Sequence, residues 1–89
     1  MTDSEKAAKV VGDLKAAEHK PAQIALKILN GLAGLVQGGG EQSLEVEDAR
    51  SSAFLAICEV GKALHRGQPA GRLWQSAIDA AERWMLLAR

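Results

Sequence analysis

The residues able to do chemistry in this 89-residue chain are few and scattered. Cys58 is the single thiol, and His19 and His65 are the only imidazoles. A metal centre needs a cluster of such groups at ligand spacing, and one Cys with two distant His does not supply it. A nucleophilic cysteine needs a base or cation beside it and some exposure. The helical neighbours of Cys58 are Phe54, Leu55, Glu59 and Lys62, so it reads as a small packing residue. Acid–base work needs carboxylates that converge in a cleft. Glu45, Glu47 and Asp48 instead crowd one segment start and read as partners of a helix dipole. Gly38-Gly39-Gly40 lacks the Lys and Ser/Thr of a phosphate loop. The sequence therefore predicts a non-enzymatic protein with no catalytic residue, no cofactor and no metal.

One stretch could hold an anion. Lys62 to Arg72, KALHRGQPAGR, carries Lys62, Arg66 and Arg72 with His65 and no acid. It also contains a helix start, whose free N–H groups attract anions. This supports an alternative reading, a nucleic-acid or phosphate-binding regulator. The overall charge argues against nucleic acid as the main partner. Eleven acidic and eleven basic side chains cancel, whereas a duplex-binding domain is usually basic because phosphate neutralisation supplies its affinity. The helix after the turn presents alanines rather than base-reading side chains.

The elements that position these groups are helical. The stretch from Pro21 to Gln37 dominates. On a wheel of about 100° per residue, Gln23, Lys27, Asn30, Gly34 and Gln37 share a stripe roughly 80° wide. The remainder is apolar or glycine. A helix apolar over most of its circumference calls for enclosure by other elements, so Ile24 to Val36 is expected to be central and covered on nearly all sides.

The first helix is expected over 3–19. Thr2 and Glu5 match a capping box, and Ala7, Val10, Val11, Leu14 and Ala17 recur at helical spacing. Glu5–Lys9 and Lys9–Asp13 are expected as pairs four apart. Pro21 ends that helix and opens the second, 21–37. The glycines at 38–40 stop it and allow a mobile reversal. The third, 44–65, starts at a Ser43 cap and buries Val46, Ala49, Ala53, Ile57, Val60 and Leu64. After the Gly67-Gln68-Pro69 turn the fourth runs over 69–88, with Ala70, Trp74, Ala77, Ala81, Met85 and Ala88 as its stripe and Trp84 on the flank. Asp79–Arg83 is a further expected pair. Strand patterns are absent. Four amphipathic helices with short connections predict a single all-α domain over 1–89, a four-helix up-and-down bundle.

A domain of this size buries only about 60–65% of its unfolded surface, and small domains often add a second copy. Homodimerisation is therefore expected to complete the core. Four residues stand out as its surface. Leu55 lies off the third helix's stripe with Phe54 and Cys58 beside it, and Leu86 lies off the fourth. Apolar outliers on neighbouring helices can join into a contact patch. The predicted role is contact with another protein, as in regulators, inhibitors, antitoxins or adaptors.

The hydrophobic share is 47% and the aromatic share 3%, which calls for a core of Ala, Leu, Ile and Val. With one cysteine no intrachain disulfide is possible, which fits a cytoplasmic setting. No apolar leader or 18-residue apolar run exists, so neither a signal peptide nor a membrane span is expected. The Ala- and Gly-rich, Tyr-free composition suits a bacterial or phage source.

Overall fold

The computed structural model describes residues 2–36 and 43–89. They form four helices, α1 (Asp3–Ala17), α2 (Ala22–Val36), α3 (Leu44–His65) and α4 (Gly71–Leu87). The expected Gly38–Gly40 reversal lies outside the described residues. Helix boundaries fall within two residues of the periodicity, the usual scatter of frayed ends.

Local chemistry sets the ends. At the start of α1 the Glu5 N–H donates to Thr2 Oγ1 at 3.2 Å, and the Thr2 N–H donates to Glu5 Oε1 at 3.3 Å, closing the capping box. These donors, the Thr2 backbone N–H foremost and its hydroxyl second, hold the Glu5 carboxyl below its ordinary pKa of 4.5. A depressed carboxyl pKa stabilises the fold above the unfolded value and loses that effect as pH falls through the folded one. We expect the Glu5 carboxyl to titrate below a Glu in the unfolded chain, with the first turn of α1 fraying as it protonates. NMR titration of its side-chain carbon measures this; a pKa at or above 4.5 would contradict the closed box.

Pro21 stands just ahead of α2, its carbonyl accepting from the Ala25 N–H at 2.9 Å. Ser43 caps α3, its hydroxyl accepting from the Val46 N–H at 3.3 Å. At the other end of α3, the Gln68 N–H reaches the Ala63 carbonyl (2.9 Å) and the Gly67 N–H reaches that of Leu64 (3.2 Å). This double closure requires a left-handed residue, and Gly67 supplies it with φ of 67°. Pro69 falls two residues before α4 rather than on its first turn, and Ala70 takes the cap position without a side-chain bond.

The helices form a ring. α3 and α4 share the most extensive contact, followed by α1 with α4, then α1 with α2 and α2 with α3. The backbones of α2 and α4, and of α1 and α3, stay apart among the described residues. Alanines explain the ranking. Ala49, Ala53 and Ala63 on α3 and Ala77 and Ala81 on α4 are buried, and short side chains let backbones approach. All five stripe residues expected on α1 are buried, and so are Val46, Ala49, Ala53, Ile57 and Val60 on α3. Leu64 is half-buried, and Ala63 takes its place. The radius of gyration is 12.2 Å, matching the ~12 Å expected of a compact domain of this length.

Two sequence expectations are corrected here. Trp84 is not a flank residue; it is wholly buried and the largest side chain to be so. α4 makes the two most extensive contacts of the ring, with α3 and with α1, so its apolar arc is wider than one stripe, with Ile78 and Trp84 buried beside Trp74, Ala77 and Ala81. The second correction concerns α2. It touches only α1 and α3, and buries only Ala25, Leu29, Leu32 and Val36. Ile24 is 47% exposed. Leu26, Ile28, Ala33 and Leu35 are half-buried. The most apolar helix is thus the least enclosed, because its contacts with both neighbours are the slightest in the ring, while α4 closes more extensively on α3 and α1. The tightly packed heart lies on the α1, α3 and α4 side.

Candidate functional site

The open face of α2 is flanked by a groove on each side. The groove towards α1 is a recess of about 290 Å³ with Ile28, Gly31, Leu32, Leu35 and Ala16 on its floor and Lys9, Asp13 and Lys27 on its rims. Its one visible ion pair is Lys9 Nζ to Asp13 Oδ2 at 3.0 Å. The expected Glu5–Lys9 pair does not form, because Glu5 is turned back onto Thr2. The groove towards α3 is also about 290 Å³, lined by Leu26, Leu29, Ala33, Ile57, Cys58 and Gly61 with Asn30 and Lys62. It runs into a wider recess of about 410 Å³ where Lys62, His65 and Arg66 meet Leu26, Asn30 and Gly61. The polar stripe of α2, including Gln23, Lys27 and Asn30, faces water between the grooves.

The residues singled out from sequence are only partly united. Cys58 is half-buried on the α3 wall of the second groove, and Phe54 is half-buried one turn before it. Leu55 is 64% exposed and Leu86 is 59% exposed. Each stands about 140–150° from the buried stripe of its helix, on the side turned away from the core. Of the three cations, Lys62 and Arg66 share the wide recess, whereas Arg72 stands exposed at the start of α4. Lys62 is also held by Glu59 at 3.3 Å. The carbonyl ends of α3 favour these cations where they are. His19 is exposed just past α1, 3.7 Å from Glu18. Asp79 accepts from Gln75 Nε2 at 2.8 Å instead of pairing with Arg83.

One side chain that ties two helices together escaped sequence reading. Arg50 on α3 donates from Nη1 to the Val36 carbonyl at 2.6 Å and from Nη2 to Glu47 Oε2 at 2.5 Å. Its side chain is 16% exposed. The last four carbonyls of a helix lack partners within it, and α2 has no basic residue in its last turn. α3 supplies the missing donor. The hint in the sequence is a helix end without a cation, followed by Glu47 and Arg50 at i,i+3 spacing.

Among the described residues no three of His, Cys, Asp and Glu stand together as a metal site, and no helix is long and apolar enough to cross a membrane. No family model, curated protein or solved structure matches this chain. The functional reading therefore rests on the surface itself.

Proposed function

We propose that this chain works by contact and not by catalysis, as a small helical protein of the regulator, inhibitor, antitoxin or adaptor kind. The four helices act as an up-and-down bundle completed by a second copy, and the same type of surface masks a working face of another protein. One observation carries this reading. α2 holds the chain's most continuous apolar sequence, yet two grooves and an exposed Ile24 leave its outer flanks uncovered. An apolar helix face rimmed by charge is what a helix-in-groove contact uses.

Capture from an extract of the source cell tests it. Proteins retained by the wild-type chain should be lost with the Ile24→Lys/Leu35→Lys variant at unchanged helicity. Equal retention by both would remove α2 as the working surface. A second reading draws on Lys62, His65 and Arg66 in one recess: a phosphate or nucleic-acid contact. It predicts a shift of random duplex at low salt that fades as salt rises; no shift at low salt ends it.

A further inference from the structure

The bare flank of α2 has an order of its own. Ile24, Ile28, Gly31 and Leu35 follow one another at 4-3-4 spacing on the α1 side of the helix, the spacing of a helix–helix seam. Ile28 and Leu35 are half-buried, and Gly31 is exposed. A Cβ built on Gly31 would meet nothing within 4 Å. Packing inside the chain therefore does not require a glycine there, although glycine costs a helix interior about 1 kcal/mol relative to alanine.

Read backwards, the seam is Leu, Gly, Ile, Ile. Laid antiparallel on itself about an axis beside Leu29 and Asn30, it matches. Ile24 falls against Leu35 of the partner subunit, and Ile28 falls over Gly31 of the partner subunit, each twice. Every large side chain meets either another apolar one or the gap left by a glycine. Such self-matching is the condition for a two-fold interface. We propose that α2 pairs with α2 of a second copy in this antiparallel register, with the second copy's helix lying in the α1–α2 groove. The proposal rests on the contact reading above and names its first partner.

Area and charge fit that occupant. A stable interface covers about 800 Å² per partner, about 15% of the 5364 Å² surface of one chain. One long side of a body measuring 37 × 19 × 18 Å is of the same order. The groove rims carry both signs, Lys9 and Lys27 with Asp13, and the chain's formal net charge is zero. No net-charge repulsion opposes the approach of two copies.

Sedimentation equilibrium from micromolar to millimolar chain tests the pairing. The wild type should be a dimer. Gly31→Leu should raise the dimer Kd about thirtyfold or more, the scale of a central interface residue, while the helicity and the stability of the single chain are retained or raised, since leucine is the better helix former and its Cβ meets nothing within 4 Å. Ile24→Lys, at an exposed position, should weaken the dimer in the same direction. A wild type that stays monomeric throughout overturns both this pairing and the self-contact in the broader reading. A wild-type dimer that survives Gly31→Leu and Ile24→Lys overturns the α2 pairing alone. If that dimer is lost in Leu55→Asp, the contact belongs to the outer face of α3.

Discussion

Trp84→Ala is expected to lower the unfolding free energy by about 3–5 kcal/mol, the cost of emptying a large buried aromatic site. The indole is 0% exposed and belongs to the shared core cluster of all four helices. A chain of 89 residues has a total stability of only about 4–13 kcal/mol, so the variant loses a large share of it and its urea midpoint should fall sharply. Urea unfolding followed by Trp74 fluorescence and by circular dichroism measures the loss. Trp84→Phe should cost much less. The indole N–H is buried without a partner, and phenylalanine removes that unsatisfied donor along with some volume. A Trp84→Ala midpoint within about 1 kcal/mol of wild type would mean that the site collapses or is not the centre of the core.

Arg50→Ala is expected to cost about 1.5–3 kcal/mol, the range for hydrogen bonds made by a charged group. Two bonds go at once, to the Val36 carbonyl and to Glu47. The upper part of the range for a buried pair does not apply in full, because Glu47 keeps 30% side-chain exposure and water screens it. Arg50→Lys should recover part of the loss, since an ammonium can reach one acceptor but lacks the planar fork that spans both. The effect should be local as well as global. Hydrogen exchange at the last turn of α2 should speed up in Arg50→Ala before the α3–α4 contact loosens. Uniform acceleration across all four helices, or none in α2, would show that Arg50 does not hold that helix end.

These two residues show what periodicity conveys and what it omits. On α1 the spacing of Ala7, Val10, Val11, Leu14 and Ala17 names the buried face completely. That is legible because a narrow stripe on an otherwise polar helix has one way to face a core. Thr2 and Ser43 were equally legible as caps, and Gly67 as a turn residue, because such signals act within a few residues of themselves. Trp84 was misplaced because stripe width depends on how closely the neighbours of a helix approach, and α4 makes the two most extensive contacts of the ring. Arg50 was missed because its acceptor lies 14 residues away, beyond any i,i+4 rule.

The candidate site divides in the same way. The sequence marked an apolar excess and expected a surface for a second chain, and it named Phe54, Leu55, Cys58 and Leu86. The fold places Phe54 and Cys58 on the α3 flank, leaves Leu55 and Leu86 on outward faces, and opens an apolar strip elsewhere, along α2. By itself the sequence determined four helices, the N-terminal caps of α1 and α3 and which residues of α1 face the core, since each follows from residues close together in the chain. Only the tertiary structure decided which helix would be left half-covered. Hydrophobicity states how much surface wants to leave water, whereas enclosure depends on how closely the neighbouring rods approach, and both neighbours of α2 make their slighter contact with it.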